Sequence, residues 1–176
     1  MSVQGCLRYS GPMSDDRWLD SHEQQAWRAF LATSALLHAA LDRQLQRDAG
    51  LPHAYYMILA MLSESPGRAL RMSSLADLTN SSQSRISHAV ARLEEAGWVR
   101  REQCPSDRRG LLAVLTDTGF GVLAEAAPGH VEAVREHLFD QLTPEQVRQL
   151  EGICRAALRK LDPDNAFPAG DLAHAE

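Results

Sequence analysis

Cysteine is scarce: Cys6, Cys104 and Cys154 are the only three in 176 residues, too few and too widely spaced for a disulfide framework or a zinc knuckle within one chain. They read as free thiols. No apolar run approaches the roughly 20 residues that span a bilayer. The first residues also lack a basic stretch followed by an apolar stretch and a small-residue cleavage site. Neither a membrane partner nor a secretory leader is expected, and the reading is cytoplasmic, at the nucleoid. A Gly-rich phosphate loop, a nucleophile motif and a paired-carboxylate pocket are likewise missing, which argues against an enzyme. No tight His/Cys spacing calls for a metal, so no metal and no other cofactor is expected. An excess of positive charge is missing too, since the net charge is −5. Its distribution matters more than its total. Residues 71–116 hold seven arginines against five acids, so a local +2 sits inside a remainder of −7. A neutral-to-basic centre in an acidic body suits a protein that meets phosphate with one surface only.

What is present is an ordinary mixture of 44% hydrophobic and 23% charged residues, long enough for one core at ~100–200 residues per domain. Residues 1–15 lack periodicity and contain Gly5, Gly11 and Pro12, which reads as a disordered tail, and residues 163–176 read as a second one. The body, 16–162, is expected to form a single domain. From Asp16 to Arg47 the residues Trp27, Phe30, Leu31, Leu37, Leu41 and Leu45 recur at helical steps, and a second helix is expected over His53–Ser63, both apolar enough to be core. Leu70-Arg71-Met72 reads as a brief strand, followed by a helix from Ser73 or Ser74 to Thr79 and a turn at Asn80-Ser81. A further helix over Ser82–Ala96 puts Ile86, Val90 and Leu93 on one stripe, and Gly97 ends it as a residue free to turn left-handed. Two β-capable runs, Trp98–Glu102 and Leu111–Thr116, flank the turn-rich stretch Cys104–Gly110 and predict a hairpin with a charged tip. Asp117 to about Leu142 reads as helix with a kink or break at Pro128-Gly129. Thr143-Pro144 then caps a last helix whose stripe of Val147, Leu150, Ile153, Cys154, Ala157, Leu158 and Leu161 is long enough to pack on a partner helix.

The order short strand, helix, turn, polar-faced helix and charged hairpin has a mechanical use on DNA. A helix fits the major groove and its N-terminal residues reach base edges most easily. Ser82, Gln83, Ser84, Arg85, Ser87, His88 and Arg92 occupy that face. Gln can read adenine and Arg guanine with paired hydrogen bonds, while serine serves phosphate or base. A polar face on an isolated helix can equally be solvated surface; the surrounding pattern decides for DNA.

The run from Leu75-Ala76 to Gly97, continuing through Val99-Arg100-Arg101 and Asp107-Arg108-Arg109-Gly110-Leu111-Leu112-Ala113-Val114-Leu115-Thr116, resembles the central signature of MarR-family regulators. The segment Leu142-Thr143-Pro144-Glu145-Gln146 also falls where that family places its dimerisation helices. The resemblance implies a mainly α fold with a small β-hairpin wing: a winged helix-turn-helix lobe over 53–116 and flanking dimerisation helices over 16–50 and 117–162. It implies that Arg109 enters the minor groove, that Arg108 beside it meets phosphate or water, and that Asp107 holds the wing tip by pairing with a nearby arginine. A narrow A·T-rich groove does favour an inserted guanidinium. Family members commonly bind small aromatic or phenolic ligands in a cleft, for which Trp27, Arg28, His38, Tyr55 and Tyr56 are the candidates here, although such residues at helical spacing also serve as core. Some relatives are thiol-based peroxide sensors whose reactive cysteine lies in the first helix, and no cysteine occupies that helix here.

The expected function is therefore a sequence-specific, homodimeric repressor of double-stranded DNA with a roughly palindromic operator, released by a small molecule. A constitutive activator or architectural protein without effector shares the same fold. A protein-interaction or dimerisation module is the alternative from a different class, because an amphipathic helix can serve either partner.

Overall fold

A computed structural model describes residues 18–105 and 107–162, with the side chains of Arg108 and Arg109 left out. The expected tails, 1–15 and 163–176, and Cys6 with them, lie outside the described residues. The elements are α1 (Ser21–Ala49), α2 (His53–Glu64), a 3₁₀ turn (Pro66–Arg68), β1 (Ala69–Arg71), α3 (Met72–Leu78), α4 (Gln83–Glu95), β2 (Val99–Cys104), β3 (Asp107–Leu115), α5 (Asp117–His137), a 3₁₀ turn (Phe139–Gln141) and α6 (Pro144–Leu161). The chain is thus mainly helical with one small sheet.

The sheet has the order β1-β3-β2 and is antiparallel throughout, with Leu70 opposite Ala113 and Arg101 opposite the same residue from the other side. Its central strand, β3, supplies Ala113, Val114 and Leu115 to the interior. Against it pack Ile58, Leu59 and Leu62 of α2, Leu75 and Ala76 of α3, and Ile86, Val90 and Leu93 of α4, all buried. From the C-terminal part of α1 come Leu41, Gln44 and Leu45.

Local chemistry accounts for the boundaries. Helix α1 starts at Ser21, later than the expected Asp16, because Asp20 and Glu23 close a reciprocal cap: Glu23 N donates to Asp20 Oδ1 at 2.8 Å and Asp20 N to Glu23 Oε2 at 2.9 Å. Thr143 does the same for α6 with Gln146, and Pro144 fills the first helical position. At the other end of α4, Gly97 adopts φ +74°, a conformation that costs a β-carbon-bearing residue dearly.

Two expectations need correction. Helix α5 runs unbroken past Pro128 to His137, where a kink or break was anticipated at Pro128-Gly129, and it ends before Leu142. The proline removes one N–H, but Leu123, Ala126 and Ala133 are buried on both sides of it, and that packing holds the helix together. Gly129 has its own use, for a β-carbon there would stand 3.2 Å from Gln44 Nε2. The second correction concerns α1 as core. Trp27, Phe30, Leu31 and Leu36 are exposed, and α6 has no buried residue at all. Among the described residues those apolar stripes remain exposed.

The joint between β3 and α5 is tight. Thr116 caps α5 by accepting from Gly119 N at 3.0 Å, while its own N–H donates to Trp98 O at 3.0 Å and its hydroxyl donates to Gly97 O at 2.8 Å. A β-carbon on Gly119 would overlap the Trp98 carbonyl, lying 2.8 Å from its carbon and 2.9 Å from Leu115 Cδ1. Gly119→Ala should therefore cost about 2 kcal/mol or more, the upper part of the overpacking range, since backbone cannot swing aside. Gly121, also in α5, has open space around it. Gly121→Ala should instead gain roughly 0.5–1 kcal/mol from helix propensity. Urea unfolding at one protein concentration separates the two, and equal effects would refute the close approach.

Candidate nucleic-acid interface

The exposed face of α4 is prepared by the turn before it. Asn80 takes φ +46°, which asparagine tolerates better than most residues, and Ser81 N donates to Ala76 O at 2.9 Å. Ser82 then stands in an extended conformation and its hydroxyl accepts from Arg85 N at 3.3 Å. That cap satisfies one N–H of the first turn, and the remaining ones point outward as anion donors. With Ile86, Val90 and Leu93 fixed in the core, Ser82, Gln83, Ser84, Arg85, Ser87, His88 and Arg92 all fall on exposed surface.

Ion pairing decides which charges in this block are available. Arg92 pairs with Glu95 at 3.0 Å, Arg100 with Glu102 at 2.6 Å, and Arg101 Nε with Glu94 Oε2 at 2.8 Å. Arg101 also donates its backbone N–H to Glu94 Oε1 at 3.1 Å, and these hydrogen bonds hold the Glu94 carboxyl below its usual range. Each pair is exposed enough to be worth little for stability. Their effect is to neutralise the flank of α4 and the outer strand. Among the described residues, Arg85 forms no ion pair and is the uncompensated guanidinium on the α4 face.

The hairpin pairs further than expected. Strand β2 continues to Cys104 and β3 begins at Asp107, where a loop was anticipated over Cys104–Gly110. The register runs to Gln103 opposite Leu111 and then jumps to Cys104 opposite Asp107, so residues 108–110 form an irregularity in one strand with no counterpart in the other. Such bulges bend the strand and re-aim what they carry. Asp107 Oδ2 lies 3.6 Å from Arg71 Nη1, an exposed ion pair linking the start of β3 to β1. A β-carbon on Gly110 would stand 3.3 Å from Arg71 Nη1, Asp107 Oδ2 and Cys104 Cβ alike, so glycine suits this bend. The Arg108 and Arg109 side chains are outside the described set. Cys104 itself is buried and Cys154 is exposed.

Of the residues expected to touch a small ligand, Trp27 and Arg28 lie in the N-terminal part of α1, exposed, with the Trp27 ring stacked on Phe30 at 6.1 Å. His38, Tyr55 and Tyr56 belong to the second compact unit of the chain, which starts at Leu36. There His38 and Tyr56 are joined by two histidines that the sequence reading did not single out. The His38 ring meets His53 edge-on at 5.7 Å, His53 lies 5.5 Å from His130, and His130 lies 4.3 Å from Tyr56. Tyr55 packs half-buried against the core. The histidines come from α1, α2 and α5, so no spacing in the sequence could have joined them. Burial lowers the pKa of His53, helped by His130 and His38 and opposed by Asp42, and burial alone lowers that of His130. Burial also raises the Tyr56 phenol. Among the described residues, His130 Nδ1 is buried without a hydrogen-bond partner.

A sequence model described as MarR family matches residues 49–110. A MarR family transcriptional regulator from Streptomyces coelicolor, solved in complex with DNA, is 55% identical with a TM-score of 0.79, covering 85% of this chain and 94% of that one. AbsC, a MarR family transcriptional regulator from the same organism, is 46% identical with a TM-score of 0.77, covering 83% of this chain and 98% of its own. The transcriptional repressor MprA of Escherichia coli strain K12 is 26% identical over 146 residues, 80% of this chain and 82% of the relative.

The histidine row makes stability depend on pH. Because His53 and His130 bind protons more weakly folded than unfolded, the unfolded chain takes up more protons as pH falls below about 6.5. Stability should be full above that value and decline as pH drops from roughly 6.5 towards 5. His130→Asn should flatten this decline in thermal melts; an unchanged slope would remove the row as its source.

Proposed function

This chain belongs to the MarR family of transcription regulators, which are not enzymes, and on that premise we propose that it is a homodimeric, sequence-specific DNA-binding repressor released by a small aromatic or phenolic molecule. The observation that carries the DNA reading is the exposed face of α4, whose apolar side is locked into the core while Gln83, Ser84, Arg85, Ser87 and His88 stand clear of it. The S. coelicolor regulator in complex with DNA supports the same assignment. Ser82 and Arg92 join that face at its two ends as phosphate contacts. Arg92 would exchange its pairing with Glu95 for phosphate. In this reading Arg109 enters the minor groove and Arg108 meets phosphate beside it. Asp107 restrains the bulge that carries both, through its ion pair with Arg71. The protein would act in the cytoplasm at the nucleoid.

Dimerisation is supported by what one chain leaves uncovered. Ile153 and Leu161 of α6 are 67% and 77% exposed, and Trp27, Phe30 and Leu31 of α1 are exposed as well. A helix with one apolar side and no buried residue needs another surface to hide it. We therefore assign 16–50 and 117–162 to dimerisation and 53–116 to the DNA-binding lobe. Two-fold symmetry would then place two α4 helices on a roughly palindromic operator. For the effector, the His38, Tyr55 and Tyr56 surroundings in one part of the chain, and Trp27 with Arg28 in the other, are the proposed contacts. A ligand releases DNA only through a difference in affinity between two states, typically ~1–3 kcal/mol.

Arg85 and Arg109 should fail differently. Arg85→Ala should cost about 1–3 kcal/mol per contact and relax preference at one position in each half-site. Arg109→Ala should weaken binding most on operators with narrow A·T-rich flanks, and Asp107→Ala should do so more mildly. Affinities on a panel of altered half-sites and flanks, at one salt concentration, check this. Equal losses across the panel would reduce both arginines to phosphate contacts. Ile153→Asp should turn a dimer into a monomer in sedimentation at micromolar concentration, and a wild-type monomer there would sink the dimer.

A further inference from the structure

Three of the chain's seven histidines meet in one row drawn from three helices. His38 comes from α1, His53 from the first turn of α2 and His130 from α5, and Tyr56 of α2 closes the inner end 4.3 Å from His130. Exposure falls along the row: His38 is exposed, His53 and His130 are half-buried and Tyr56 is buried, so solvent protons have access to an otherwise packed joint. Histidine is the side chain whose ordinary charge change falls between pH 5 and 8. An apolar ring would fill the same space without that property.

The packed arrangement resists a charge on its two inner histidines. His53 stands between two other imidazoles and at the positive end of α2, and burial, then His130 and His38, weaken its hold on a proton. Asp42 of α1 opposes them, but its carboxylate is already engaged, accepting from His53 N at 2.9 Å and from Gln46 Nε2 at 2.7 Å. His130 Nδ1 is buried without a hydrogen-bond partner among the described residues, so a proton added there meets no acceptor. From α2, Tyr56 contributes a neutral phenol whose ionisation is opposed by burial and then by Glu64. A protonated row is therefore better accommodated when α2 has loosened from α1 and α5 than when the rings are packed.

Helix α2 is also the support of α4, since Ile58, Leu59 and Leu62 share one core with Ile86, Val90 and Leu93. We propose that the His38–His53–His130 row is a proton-operated switch on DNA binding: a proton taken up by His53 or His130 loosens α2 from α1 and α5, shifts the lobe that carries α4, and lowers affinity for the operator. This inference rests on the DNA-binding reading of α4. The row shares His38 and Tyr56 with the proposed effector contacts, yet a proton needs neither a cavity nor an aromatic ligand. The sign is distinctive. Acidification by itself strengthens contact with phosphate, because His88 on the α4 face gains positive charge, whereas the switch weakens binding as pH falls below about 6.5.

The test measures affinity of the full-length protein for the DNA upstream of its own coding sequence, by fluorescence anisotropy at one salt concentration. It spans pH 7.5 to 5.5, within the range where circular dichroism shows the free protein folded. Wild-type affinity should fall about fivefold or more across that span, while His130→Asn and His53→Gln should each lose about twofold or less. If one variant does not fold, the other carries the comparison. Calorimetry at pH 6 in two buffers of different ionisation enthalpy should show protons released on DNA binding, and fewer released by the variants, a readout that a merely structural role would not move. Affinity that is flat or rises on acidification, net proton uptake on binding, or a decline that the folded variants keep in full overturns the switch and leaves the DNA-binding reading standing. Absence of sequence-specific binding at pH 7.5 overturns that reading and the switch with it.

Discussion

The carbonyl of Trp98 fixes the relation between the exposed helix and the rest of the second unit. Helix α4 ends at Gly97, the chain turns, and Trp98 N donates back to Leu93 O at 2.9 Å, while its carbonyl receives Thr116 N at 3.0 Å and the Thr116 hydroxyl at 3.1 Å. Thr116 in turn caps α5, and Gly119 allows the first turn of that helix to approach within van der Waals distance because nothing projects from it. The end of α4 and the start of α5 are therefore parts of one rigid knot of backbone. These hydrogen bonds tie the end of α4 to the start of α5, so a displacement of α5 would bear on the helix that carries Arg85. This is the physical content that a coupling between effector and DNA would require.

Charge is distributed with the same economy. A central block with two surplus positive charges is a weak signal until the pairs are drawn. Glu94, Glu95 and Glu102 neutralise Arg101, Arg92 and Arg100 on the flank and outer strand, which leaves Arg85 standing among uncharged donors and acceptors. Such a surface gains affinity from few phosphate contacts and leans on hydrogen-bond geometry for the rest. The acidic remainder of the chain discourages indiscriminate contact with nucleic acid.

Most of the architecture was legible because it rests on local chemistry. Gly97 and Thr143-Pro144 punctuate helices in ways that depend only on neighbours, and a brief strand was visible between Gly67 and Ser73, one residue off the observed β1. The unbroken α5 was not, because the tertiary contacts of Leu123, Ala126 and Ala133 override what Pro128 suggests alone. Nor was the bulge at 108–110, since register follows from pairing and not from composition. For the residues of α4 that we propose face DNA, helical periodicity anticipated the exposed surface on which they lie. The cluster of His38, His53, His130 and Tyr56 was invisible, as it is assembled from three helices whose packing no spacing reveals.

In the proposed function, α4 reads the major groove of a symmetric site as one of a pair. Footprinting of the purified protein on the DNA upstream of its own coding sequence, at fixed salt, tests this pairing. The result expected is protection of two related major-groove segments on one face of the duplex, about one helical turn or ~34–36 Å apart. Protection of one unrepeated segment, or binding that ignores sequence and vanishes smoothly with salt, would contradict it.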